Sequence, residues 1–198
     1  MADAARRLDA HFTYGDYRQW PDEERWELID GVAYSMSPAP SSRHQELSRK
    51  LERAIDDFLS GKPCRMFHAP FDVLLPKGDE PDDEVETVVQ PDIVVFCDRS
   101  KITEAGARGA PDLIVEILSP STSKKDQREK FDKYESVGVR EYWVVDPAGK
   151  WLCRYVRGEK GSFDEGELRE RLREYGPIES TVLPGFSIEP ERLFAELD

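Results

Sequence analysis

The stretch DLIVEILSPS, residues 112–121, constrains this chain more than any other. Ile114, Val115, Ile117 and Leu118 leave no polar side, which is the pattern of a strand covered on both faces. Glu116 interrupts that run. A carboxylate is seldom fully buried alone, because stripping water from its charge is costly unless a partner compensates. Glu116 therefore either pairs with a cation for structural reasons or holds a ligand.

The flanking segments supply a sheet and its cover. Residues 25–38 read as a hairpin turning at Asp30-Gly31, a dipeptide suited to a tight primed turn. Ser41 or Ser42 can cap a helix over 43–59, where Leu47, Leu51, Ala54, Ile55, Phe58 and Leu59 recur at helical spacing and Gly61 lies just beyond. Strands are predicted at 64–76, 87–98, 112–118 and 140–147, with a turn-rich connection at 99–110. A helix is predicted over 124–137, with Ser123 and Asp126 at capping-box spacing and Gly138 as its stop. An exposed hairpin and a short helix follow. Helices interleaved with apolar strands define an α/β or α+β fold, a mixed sheet flanked by helices with an N-terminal hairpin and a C-terminal β tail.

At 198 residues the chain fits one domain, 1–198, with its core over about 20–195 and flexible segments expected at 1–15 and 77–86. No run of eighteen apolar residues exists, so no membrane span is expected. The first residues lack the apolar centre of a signal peptide. Cys64, Cys97 and Cys153 are odd in number and lack CxxC spacing, and they read as reduced core thiols of a cytoplasmic protein. The net charge of −13 opposes long-range attraction to nucleic acid. Two local features offset it: KGDEPDDEVE (77–86) concentrates negative charge in a loop, and SKKDQREKFDK (123–133) is the densest basic patch.

A second acid also lies in an apolar strand. Asp92 follows Pro91 in VVQPDIVVF, one connection upstream of Glu116. Carboxylates on adjacent strands can converge on a hard cation, with water, a backbone carbonyl and a substrate phosphate completing its shell. Magnesium held in this way can supply a hydroxide-like nucleophile and stabilise a phosphodiester under attack. The simpler reading makes each acid a strand-end residue or half of an ion pair. No Walker-type loop, HExxH motif or Ser/Cys–His nucleophile arrangement competes.

QPDIVVF and PDLIVEILSPSTSKKDQREKFDKYESVGVREYWVVDP, together with WELIDGVAYSMSPAPSSRHQEL and VLPGFSIE, resemble the Uma-type restriction endonuclease family of the PD-(D/E)XK nuclease superfamily. The resemblance runs over roughly 20–195. It implies a restriction-endonuclease-like fold and Mg²⁺- or Mn²⁺-dependent hydrolysis of nucleic acid, DNA being the expected form. By motif, Asp92 and Glu116 become the metal ligands. The pattern then expects lysine two residues after the acid, where this chain has Leu118. Residues i and i+2 of a strand share a face, so a lysine there would stand beside Glu116 and orient or deprotonate water.

The resemblance implies an amine recruited from the following helix instead. Lys130 shares a stripe with Gln127 and Tyr134 and is favoured over Lys124 at the helix start, while Lys125 and Lys133 point more toward solvent. The match at RHQEL brings in His44 and the match at ELIDG brings in Glu27, with Glu46 a weaker third. Asp112 could mimic the PD pair but reads as a strand start; Tyr142 and Trp143 read as core, and Gly185 as a turn. A homodimer would suit two-strand cutting, although nothing in the chain demands it. The missing lysine and the acidity also admit a non-catalytic interaction or regulatory module on the same fold.

Overall fold

The computed structural model describes residues 10–21, 25–36, 40–119, 124–164, 166–170, 176–195 and 197. Helix α1 (Tyr14–Tyr17) precedes the hairpin of β1 (Trp26–Ile29) and β2 (Val32–Ser35), and α2 (Ser42–Leu59) follows. Next come β3 (Arg65–His68), β4 (Val73–Leu74), β5 (Val88–Val89), β6 (Ile93–Phe96), β7 (Ile102–Thr103), β8 (Gly106–Arg108) and β9 (Leu113–Ile117). Helix α3 (Lys124–Val137) leads to β10 (Glu141–Asp146), β11 (Trp151–Val156), β12 (Glu167–Glu170), β13 (Ile178–Glu179), β14 (Ser187–Ile188) and α4 (Pro190–Leu193).

The central sheet runs β12-β11-β10-β9-β6-β3, and a second runs β2-β1-β5-β4-β8-β7. Each is mixed, the parallel pairs being β9–β10 and β4–β8. The two long strands predicted at 64–76 and 87–98 are each two short ones. β3 and β6 belong to the central sheet, whereas β4 and β5 belong to the second. Both breaks contain a proline, Pro70 and Pro91, which brings no N–H to continue a ladder. The connection at 99–110 also differs from expectation, because it folds into the small β7–β8 hairpin.

Strand β9 is covered on both faces, as its composition predicts. Leu113, Val115 and Ile117 join Leu47, Leu51 and Ile55 of α2 in one core. Ile114 joins Tyr134 of α3 and Tyr142 of β10 in another. Glu116 alternates with Ile117 and so lies on the α3 face. The local signals hold as well: Asp30 and Gly31 both take positive φ (49° and 75°), and Ser41 Oγ accepts the His44 N–H at the start of α2. Gly138 ends α3 at φ 93°. The caps expected from Ser123 and Asp126 lie outside the described residues.

One expectation needs correction. Cys64 and Cys97 are not reduced thiols but form a disulfide, and Cys153 is the buried free thiol. The antiparallel β3–β6 register pairs Arg65 with Phe96, which brings the residue before one strand opposite the residue after the other. A linear count of cysteines cannot see that pairing, so it no longer speaks to compartment. Residues 77–86 carry several side-chain contacts, and Asp82–Glu84 form a single 3-10 turn. Glu80 accepts the N–H groups of Lys77 and Gly78, Arg108 pairs with Asp82, Arg18 with Asp83, and Val85 is fully buried. Among the described residues, no helix is long and apolar enough to cross a membrane.

Candidate active site

Proline ends a ladder at position 91, and the next residue exploits the gap. The β6–β9 register pairs Ile93 with Val115, which sets Asp92 opposite Glu116. Asp92 Oδ2 accepts the Ile117 N–H at 2.7 Å, so its side chain continues the ladder where the backbone stops. Its other oxygen, Oδ1, lies 3.3 Å from His44 Nε2. His44 sits in the first turn of α2, oriented by the Ser41 cap, and is 8% exposed.

Glu116 faces α3. Its Oε1 accepts from Lys130 Nζ at 3.0 Å and from the Tyr134 hydroxyl at 2.7 Å. Lys130 and Tyr134 are four apart, so one stripe of the helix delivers both donors. The same ammonium donates to Glu27 Oε1 at 2.9 Å, and that oxygen also accepts the Gln90 N–H at 2.8 Å. Glu27 belongs to β1 of the second sheet. Helices α2 and α3, strands β1 and β9 and the residue that precedes β6 therefore meet in one series, which joins the two sheets: His44, Asp92, Glu116, Lys130, Glu27.

All five residues that the sequence singled out are brought together. Glu46 is not among them and pairs with Lys50 along α2. The side chain of Lys124, the rival to Lys130, lies outside the described residues, as does that of Lys125. Lys133 corrects expectation: rather than facing solvent it is 12% exposed and pairs with Asp30 at 2.6 Å. Asp112 is architecture, accepting the Cys97 N–H at 2.7 Å and pairing with Arg140 at 2.8 Å. Two participants escaped sequence reasoning. Tyr134 was read as a buried-face residue only, and Gln90, next to the PD pair, carried no chemical signal.

Three carboxylates share this pocket with one lysine. Burial, joined by the charges of Asp92 and Glu27, outweighs the pull of Lys130 and the Tyr134 hydrogen bond and leaves the Glu116 carboxyl raised to about 7. Burial alone would lower Lys130, yet Glu116 and Glu27 reverse this and raise it, so the ammonium keeps its proton at neutral pH. Burial would likewise lower His44, but the hydrogen bond and charge of Asp92, with Glu116 and the Ile117 backbone, raise it instead. Burial and the neighbouring acids hold the Tyr134 hydroxyl well above the ordinary range, so it remains a donor.

The residues fit a hard divalent cation. Negative charge exceeds positive, and the donors are carboxylate oxygens. Glu116 Oε2 takes no hydrogen bond among the described residues, while Oε1 takes two. Asp92 is the most open acid of the three, with 21% of its side chain exposed. Among the described residues, no group of three or more His, Cys, Asp or Glu side chains is arranged to hold an ion unaided. Two carboxylates plus water suit magnesium, which dehydrates reluctantly and keeps several waters.

A mixed α+β scaffold with acids on two neighbouring strand ends and a lysine from the next helix defines a class, and comparison with known proteins gives it a family. The family described as "Uma2: Putative restriction endonuclease" matches residues 14–191, and the chain belongs to it. A crystal structure titled as a "putative nuclease belonging to DUF820" from Anabaena variabilis superposes with a TM-score of 0.74 at 20% identity, over 94% of this chain and 99% of that one. The two share the fold. Among curated proteins, "uncharacterized protein slr1290" of Synechocystis is 25% identical over 151 residues, 75% of each chain. A second from that organism, sll1609, is 25% identical over 176 residues, 86% of this chain and 93% of its own.

Proposed function

We propose that the protein is a metal-dependent nuclease that hydrolyses nucleic-acid phosphodiesters, with DNA the expected substrate. The observation that carries this reading is the position of Lys130. Leu118 stands where the superfamily pattern has its lysine, yet the Lys130 amine bonds Glu116 directly. The amine of a strand lysine is thus replaced by one from α3.

Asp92 and Glu116 would hold Mg²⁺ or Mn²⁺, which would lower the pKa of bound water and screen charge on the phosphate. Lys130 keeps its proton, so its role is to orient water and stabilise developing negative charge rather than to accept a proton. Of its three N–H donors, Glu27 and Glu116 occupy two. Glu27, from β1 of the second sheet, helps to hold the ammonium in place. His44 holds Asp92 Oδ1, while the Ile117 N–H holds Oδ2. A second copy of the chain would supply the second centre needed to cut both strands.

The net charge of −13 favours a second reading, a non-catalytic interaction module on the same fold. One experiment separates them. The purified chain is assayed with Mn²⁺ on single- and double-stranded DNA and RNA while its thermal stability is followed against Mn²⁺ concentration. The nuclease reading expects cleavage and a melting temperature that rises with the logarithm of free ion, both lost in Asp92→Ala and Glu116→Ala. A flat melting curve with every substrate intact would leave the interaction module.

A further inference from the structure

We infer that Tyr134 is a positioning residue for the metal site: its hydroxyl fixes which oxygen of Glu116 faces the cation. This rests on the nuclease reading and deepens it. A carboxylate has two equivalent oxygens, and the torsion that exchanges them is broad. Lys130 alone leaves the choice open, because its amine can be met by either oxygen or by both. The Tyr134 hydroxyl and the Lys130 amine instead converge on one oxygen, Oε1, at 2.7 and 3.0 Å. Oε2 is left without a hydrogen bond among the described residues and is the oxygen offered to an ion.

The phenol is suited to this task. Tyr134 is fully buried, and its ring meets Tyr142 edge-on at 5.2 Å between centroids. A phenol has few torsions, and packing on all sides locks them, so the hydroxyl is delivered by a rigid helix rather than by a mobile side chain. Lys130 and Tyr134 lie one turn apart on α3, so helix register sets both contacts together. Partners that orient a ligand in this way typically contribute about 10–100-fold to metal affinity.

The test uses the full chain and Mn²⁺ alone. Mn²⁺ affinity is measured by calorimetry for wild type, Tyr134→Phe and Tyr142→Phe, well below each melting temperature recorded in EDTA. Tyr134→Phe keeps the ring and removes only the donor. It is expected to weaken Mn²⁺ binding about tenfold or more, with Tyr142→Phe unchanged. If Tyr134→Phe binds Mn²⁺ as wild type does, even with a lower metal-free melting temperature, the hydroxyl serves packing alone and the inference is overturned. Equal losses in both variants would also overturn it, because the effect would then belong to the aromatic cluster. A wild-type chain that binds no Mn²⁺ defeats the metal reading itself, an outcome distinct from the other two.

Discussion

Two glutamates on neighbouring strands of the central sheet both lie largely out of solvent, with 13% of the Glu116 side chain exposed and none of Glu141, and they are opposites. Glu141 opens β10, opposite Leu113, while Glu116 lies near the end of the parallel β9, opposite Val144. Glu141 is fully buried and its carboxylate takes five hydrogen bonds. Oε1 accepts from the Trp143 indole at 2.6 Å; Oε2 accepts from Ser180 Oγ, Thr181 N, Thr181 Oγ1 and Val182 N at 2.8–3.0 Å. No cation is among these donors. Glu116 has two donors on one oxygen and further carboxylates nearby. A buried charge saturated by neutral donors is architecture, because it ties the 180–182 turn to the sheet. A buried charge that is half-served and crowded by its own kind is a place where an ion lowers the energy.

The largest expected effect tests the functional half of that contrast. Glu116→Ala is expected to reduce Mn²⁺-dependent cleavage below detection while leaving the metal-free melting temperature within a few degrees of wild type. Glu141→Ala is expected to do the reverse. It strands several buried donors, each costing about 1–3 kcal/mol, so urea denaturation is expected to show a loss of about 3 kcal/mol or more. Mn²⁺ binding to the fraction still folded is expected to persist. A Glu141 variant that stays stable but loses metal binding would reverse the two assignments.

The contrast also marks what a linear reading can see. Glu116 stood out because its neighbours in sequence are uniformly apolar, and Asp92 stood out in the same way. Glu141 lies between Arg140 and Tyr142, where an acid attracts no notice, and four of its five hydrogen bonds come from an irregular turn about forty residues later. Lys130 and Glu27 were legible mainly through motif resemblance, because their meeting depends on how two sheets pack. The hairpin, both long helices and β9 followed from local chemistry: Asp30-Gly31, the Ser41 cap, Gly138 and a run without polar residues. The exchange between sheets at Pro70 and Pro91 did not. Each proline announces a break, but the destination of the chain after a break is tertiary information.

A smaller effect concerns pH in the absence of metal. The Glu116 carboxyl titrates at about 7 when folded, against an ordinary value of 4.5. Between those values the folded chain retains a proton that the unfolded chain has released. The stabilising contribution is therefore complete below about pH 4.5 and is lost as pH rises through 7. Glu116→Gln removes this dependence. The variant is expected to gain on wild type by on the order of 2 kcal/mol between pH 5 and 8, read from urea midpoints in EDTA. Saturating Mn²⁺ is expected to reverse the trend for wild type, since an ion favours the ionised carboxylate. A wild-type curve parallel to that of Glu116→Gln would show that Lys130 already compensates the charge, and Glu116 would then resemble Glu141.

The smallest effect belongs to the acid that imitates the motif. Asp112 also follows a proline, and it sits on the same strand segment as Glu116. Its oxygens are divided between the Cys97 N–H and the Arg140 guanidinium, the latter with 59% of its side chain exposed. Solvent screens such a pair, so its charge contributes little, on the order of 0.5–1 kcal/mol. Asp112→Asn keeps an acceptor for the Cys97 N–H and is expected to lower stability by no more than that. Cleavage and Mn²⁺ affinity are expected to be unchanged. The measurement matters because Asp112 shares the sequence context of Asp92 and differs only in its partners. A large loss of Mn²⁺ affinity in Asp112→Asn would mean that proline-aspartate context, rather than the convergence on Glu116, marks the site.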